Sequence, residues 1–103
     1  MQGNYVRLVG TVKRDATSEL IRKGLPVLNF CLEVGADGDR RVFVDCIAYG
    51  DTVEDFEGFV SAGEAIEVEG YLSFRTYTDG DGSRKTMQFV HVEAMSEVEQ
   101  FAK

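Results

Sequence analysis

Apolar and polar side chains alternate with period two along residues 5–13. Val6, Leu8, Gly10 and Val12 fall on one side, and Tyr5, Arg7, Val9 and Thr11 on the other. This pattern predicts a strand with one face turned to a core. Residues 15–23 are polar and lack periodicity, so a loop or short turn is expected. Residues 25–34 alternate again, with Leu28, Phe30, Leu32 and Val34 on the core side. Pro26 lies near the start of that stretch, where a missing N–H is tolerated. After the turn-forming run Gly35-Ala36-Asp37-Gly38-Asp39, residues 40–49 predict a third strand. Val42, Val44, Cys46 and Ala48 point inward there, and Phe43, Asp45, Ile47 and Tyr49 outward. The period then changes. Val53, Phe56, Phe59 and Val60 recur at helical spacing. Asp51 or Thr52 is placed to cap that helix, and Gly63 to end it. Two further strands follow, over residues 64–74 and 86–94. In the first, Ile66, Val68, Gly70 and Leu72 face the core.

Three strands, one short helix and two strands form the layout of a five-stranded Greek-key barrel, the OB-fold. An all-β chain of this kind with 103 residues makes one domain. We assign it to residues 1–95, with 96–103 as a short polar C-terminal extension. A hydrophobic fraction of 44% supplies a core and argues against disorder. No run approaches the roughly 18 apolar residues of a membrane span, and no signal peptide is evident. The net charge is −7, but it is unevenly placed. Eight of the 18 acids lie between Val42 and Phe74, a stretch without a single Lys or Arg. The remaining ten acids face 11 bases, so the flanking parts can build a locally positive groove.

The segment from Arg75 to Thr86 carries the main candidate chemistry. Its Asp-Gly repeats suit a tight turn, and Tyr77 sits among Arg75, Arg84 and Lys85. A ring for stacking a base, with cations to track phosphates, suits single-stranded nucleic acid. An ordinary exposed hairpin has the same composition. Phe30, Phe56 and Phe59 read as core. Tyr71 and Phe74 fit binding, interface or core. Cys31 and Cys46, 15 residues apart with no CxxC pair, form no zinc pattern. Strand parity puts them on opposite faces, as free thiols. His91 lies mid-strand with no catalytic neighbour in sequence and reads as structural. Asp79 and Asp81 suit turn chemistry better than a calcium loop, whose later Glu is missing. No nucleophile elbow, phosphate-binding loop or supported carboxylate pair is present. Neither an enzyme nor a metal or cofactor is expected.

Five segments resemble, in order, the bacterial single-stranded DNA-binding proteins. They are the opening strand Asn4-Tyr5-Val6-Arg7-Leu8-Val9-Gly10, then Leu28-Asn29-Phe30-Cys31-Leu32, then Ile47-Ala48-Tyr49-Gly50. The run from Gly63 through Gly70 to Leu72 is the fourth, and the hairpin Arg75-Thr76-Tyr77-Thr78-Asp79 the fifth. The resemblance spans about residues 4–94. It implies an OB-fold that binds single-stranded DNA without marked sequence preference, in replication, recombination or repair. It further implies base stacking on Phe43, Tyr49 and Tyr77. Phosphate contacts would come from Arg75 and Arg84, joined by Lys85, Lys13 and Arg14. The family pairs its barrels through the first strand, which implies Tyr5 and Arg7 at an interface within a homotetramer, or else a homodimer. Replication or repair proteins are implied as further partners, with a cytoplasmic, nucleoid-associated or plastid location and no membrane contact.

The chain departs from the family's pattern in several places. Asp45 stands where the family carries a basic residue, and Glu33 is a second carboxylate near the same face. No tryptophan is present. Glu97, Glu99 and Phe101 do not reproduce the family's acidic, phenylalanine-ended tail. Two alternatives therefore stand beside the main reading. One is a primosomal replication-restart OB protein, and the other an OB-fold protein-interaction module that has lost DNA binding.

Overall fold

A computed structural model describes residues 3–14, 17–20, 26–35, 38–50, 52–53 and 60–98 of the chain. The strands are β1 (Val6–Val12), β2 (Thr17–Leu20), β3 (Pro26–Gly35), β4 (Arg41–Tyr49), β5 (Ala65–Thr78) and β6 (Arg84–Glu97). Five of them close a barrel. β1 pairs with β5 and β3, β3 with β4, β4 with β6, and β6 with β5. All of these contacts are antiparallel except β4–β6, which is parallel. This is the expected all-β OB architecture.

β2 corrects the loop expected between residues 15 and 23. It pairs antiparallel with β3 from Thr17↔Asn29 to Leu20↔Pro26, while β1 meets the same strand at Val12↔Leu32. β2 therefore continues the line of β1 along one edge of β3. Its strand character comes from backbone bonds to β3, which require no apolar alternation in its own sequence. Most of the expected helix lies outside the described residues, including Asp51, Phe56 and Phe59. Thr52 and Val53 are helical, and Val53 and Val60 are buried in the barrel core.

The core is built from the inward residues of every stave: Val12, Leu28, Phe30, Leu32, Cys46, Ala48, Ile66, Val68, Val90 and Val92. The two cysteines are free, with Cys46 buried there and Cys31 half-buried. In β6 the alternation changes phase. Glu69 pairs with Ala94 but Gly70 with Val92, so β6 carries one extra residue, and Met95 rather than Ala94 turns inward. Gly70 sits at this irregularity. A Cβ there would lie 1.9 Å from the His91 carbonyl oxygen, so only glycine lets the two backbones approach.

Both ends of the inward pattern need correction. Val42 and Leu72 were expected in the core but are each 47% exposed. Alternation specifies a face, and these strands run past the point where the opposite staves cover it. Ile47 departs the other way: expected outward, it is buried. It packs with Val27 and Phe89 in a second small cluster outside the barrel, flanked by Tyr49 and Met87.

β4 and β6 are in register at only two positions, Cys46↔Val90 and Ile47↔His91. Toward Arg41 and Arg84 the two strands diverge. The β3–β4 hairpin and the β5–β6 hairpin thus leave the barrel as separate arms, and the molecule measures 49 × 32 × 31 Å.

Candidate nucleic-acid interface

Strand register decides which expected residues share a face. On β4, Phe43, Asp45, Ile47 and Tyr49 oppose Glu33, Cys31, Asn29 and Val27 of β3. Ile47 is level with His91 of β6, which is level with Tyr71 of β5. On the arm, Arg75 pairs with Met87 and Tyr77 with Lys85. Strand parity therefore carries one continuous outward face from Phe43 across to Tyr77. Phe43 and Tyr77 are 56% and 46% exposed. Tyr49 is half-buried, and its ring centroid lies 5.0 Å from that of His91. His91 in turn stacks on Tyr71 at 4.6 Å and an interplanar angle of 13°. Neither His91 nor Tyr71 could be joined to Tyr49 from the sequence, because the β4–β6 register is not a local property.

Glu33 organises the cations around Phe43. Its carboxylate lies 3.2 Å from the Arg41 guanidinium and 3.7 Å from Lys13 Nζ. Lys13 Nζ also lies 5.4 Å from the Phe43 ring centroid, a cation–π distance. Arg41 was not among the expected phosphate contacts. Its signal was its place two residues before Phe43, on the same face of the strand. Arg14 borders an open groove of about 340 Å³ whose other lining residues include Asn29, Cys31, Asp45, Ile47 and Met87.

On the β5–β6 arm the turn is confined to residues 79–83. Gly82 N–H donates to the Asp79 carbonyl, Asp79 N–H to that of Ser83, and Gly82 takes a φ of +89° that favours glycine. Ser83 N–H donates to Asp81 Oδ1 at 2.9 Å, and this bond holds the Asp81 carboxyl below its ordinary range. Lys85 Nζ is 3.9 Å from Asp79. Arg75 is exposed and has no hydrogen-bond or ion-pair partner among the described residues. Arg84 departs from the expected group. It pairs in register with Thr78, on the opposite face of the ribbon from Tyr77, and its guanidinium donates to Thr76 Oγ1 at 3.5 Å. The expected stacking rings and the other expected cations lie on the outward face or at its border, and Arg84 lies behind it.

Tyr5 and Arg7, the expected interface pair, are engaged across β5 within the chain. The Tyr5 hydroxyl donates to Glu69, which pushes its pKa up. Arg7 grips Glu67 with two donors, at 2.6 and 3.2 Å, and this raises its pKa. Burial pushes the Cys46 thiol up to about 12, so it stays protonated and inert at neutral pH. Among the described residues no group of three or more His, Cys, Asp or Glu is placed to hold a metal ion. No helix among them is long and apolar enough to cross a membrane.

The family model for the single-strand binding protein family matches residues 3–98. The chain is 31% identical over 102 residues to a single-stranded DNA-binding protein of Halalkalibacterium halodurans, covering 93% of this chain and 61% of that protein. It is 28% identical over 100 residues to one from Wolinella succinogenes, covering 89% of this chain and 62% of that protein. A third, from Onion yellows phytoplasma, is 27% identical over 93 residues, covering 87% of this chain and 88% of that protein. The chain thus spans about three-fifths of the length of the first two relatives. It belongs to the single-strand binding protein family.

Proposed function

We propose, from that membership and the face just described, that this chain binds single-stranded DNA with little sequence preference in replication, recombination or repair. Bases stack on Phe43, Tyr49 and Tyr77. Lys13, Arg14, Arg75 and Lys85 contact phosphates, and Arg41 joins them. Arg84 lies on the far side of the arm, so we assign it a lesser part. The role is binding rather than catalysis. The assembly we favour is a homotetramer, then a homodimer, joined along β1 near Tyr5 and Arg7, and the location is cytoplasmic. Replication or repair proteins are the partners expected beyond DNA.

The observation that carries the reading is the single outward face. It places Phe43 and Tyr77, both about half exposed, at its two ends, each beside cations. Stacking is worth about 1–3 kcal/mol per base on such rings. A protein-interaction module is the competing reading, favoured by Asp45 and Glu33 on the same face and by the net charge of −7. Fluorescence anisotropy of a labelled oligo-dT of about 35 nucleotides, titrated at several salt concentrations beside a duplex control, separates the two. Submicromolar, salt-sensitive binding that prefers the single strand supports DNA. A folded protein that ignores the oligonucleotide at low salt supports the interaction module.

A further inference from the structure

The groove between the stacking rings contains a carboxylate that the DNA reading does not yet use. Asp45 is exposed, and among the described residues its side chain has no hydrogen-bond or ion-pair partner. Glu33, on the neighbouring strand, is neutralised by Lys13 and Arg41. A carboxylate on a phosphate path, without a partner among the described residues, repels the ligand, and at its position it also borders a cavity. That cavity, of about 340 Å³, has Ile47 and Met87 as apolar lining, with Asn29, Asp45 and Arg14 as polar lining. Apolar walls with a few convergent polar groups make a small-ligand pocket, and the volume holds a nucleobase. Asp45 is two residues from Phe43 along β4, about 7 Å of strand, and four from Tyr49. A nucleotide whose neighbour stacks on either ring can therefore lay its base edge in the groove.

We propose that this groove is a base-edge subsite in which Asp45 selects bases carrying an exocyclic amino group over thymine. The inference rests on the single-stranded DNA reading and adds one selective position to an otherwise sequence-tolerant path. An ionised carboxylate only accepts hydrogen bonds. Guanine offers it N1–H and the 2-amino group, cytosine its 4-amino group and adenine its 6-amino group. Thymine offers one N3–H between two carbonyl oxygens, and both oxygens face the carboxylate unfavourably. Arg14, at the same groove, supplies the cation for the phosphate or a base carbonyl.

The test compares oligo-dC with oligo-dT, two pyrimidine strands of similar stacking, on the full chain and on Asp45→Ala by anisotropy at one salt concentration. The wild type binds oligo-dC more tightly relative to oligo-dT, and Asp45→Ala lowers that ratio by about three- to tenfold. Asp45→Asn keeps an acceptor and adds donors for the thymine oxygens. Those donors serve cytosine N3 as well, so the substitution strengthens binding to both strands and lowers the ratio by removing the repulsion that thymine alone meets. Binding to both strands with a ratio that Asp45→Ala leaves unchanged overturns the subsite and leaves the DNA reading standing. Binding to neither strand by a folded wild type overturns both.

Discussion

The two arms of the molecule present the same ingredients in opposite electrostatic states. Beside Phe43, Lys13 and Arg41 are both tied to Glu33, and Lys13 lies against the ring. Beside Tyr77, Arg75 has no partner among the described residues, and Lys85 only brushes Asp79 at 3.9 Å. A phosphate arriving at the β5–β6 arm meets Arg75, without a partner among the described residues, and a Lys85 held only at 3.9 Å. One arriving at Phe43 must displace a carboxylate first. Exposed ion pairs of this kind are worth about 0–1 kcal/mol, so Glu33 weakens that contact without abolishing it. Residue composition alone does not make a phosphate site; the partners already in place decide how much of each charge is available.

Removing the root of one arm breaks the comparison most bluntly. Gly70→Val forces a Cβ into the His91 carbonyl. It should cost about 3 kcal/mol and lower Tm by roughly 10 °C or more in a thermal melt. An unchanged Tm would mean that the close approach of β5 and β6 is not needed. Next come the rings. Tyr77→Ala and Phe43→Ala should each weaken oligo-dT binding by about 1–3 kcal/mol with Tm nearly unchanged, because both rings are exposed. A loss at only one of them confines the path to one arm.

The cations sharpen the comparison through salt dependence. Single-strand binding falls with log salt by about 0.7 per phosphate neutralised. Arg75→Ala should therefore flatten the slope by about 0.7. Glu33→Gln releases two cations beside Phe43, so it should tighten binding and steepen the slope by up to about 1.4. Slope changes of opposite sign in these two variants are what the contrast between the arms requires. The smallest effect lies at the arm's tip. Ser83 N–H lowers the Asp81 carboxyl, so the turn gains stability above the ordinary value of 3.8 and loses it as pH falls through the lowered one. In an NMR titration the Ser83 amide proton should shift with a midpoint below 3.8, and a midpoint at or above 3.8 contradicts the bond.

Much of this was legible in the sequence, for reasons that also mark where it stopped. β1, β3 and β4 each turn one face to the barrel core, so their alternation located them and set Phe43 and Tyr49 on the outer side. β2 left no trace, because an edge strand held by backbone bonds to β3 needs no apolar face. Ile47 read as exposed because parity cannot foresee that Val27 and Phe89 cover it from neighbouring strands. Arg84 read as a companion of Tyr77 because proximity in sequence hides the face. The turn over residues 79–83 puts Arg84 opposite Thr78, and so behind the ring. The contact of Glu33 with Arg41 follows from the β3–β4 register, which the loop between those strands sets and the residue types do not.

The parallel seam of β4 and β6 has a mechanical consequence. With only Cys46↔Val90 and Ile47↔His91 in register, the β5–β6 arm is a cantilever clamped at the barrel, whereas β1 still holds the β3–β4 hairpin at Thr11↔Glu33, level with Phe43. The β6 side of that arm runs seven residues from His91 to Arg84; Phe89 and Met87 still pack against the Ile47 cluster, which leaves a free length of about 10 Å beyond Met87. For a given change of slope at the root, the displacement of a lever grows with distance from the clamp. Tyr77 therefore sweeps further than Tyr49, whose ring lies against His91 at the clamp itself. The two outermost rings set a gap governed by strand bending, and the inner ring provides the fixed point from which that gap is measured.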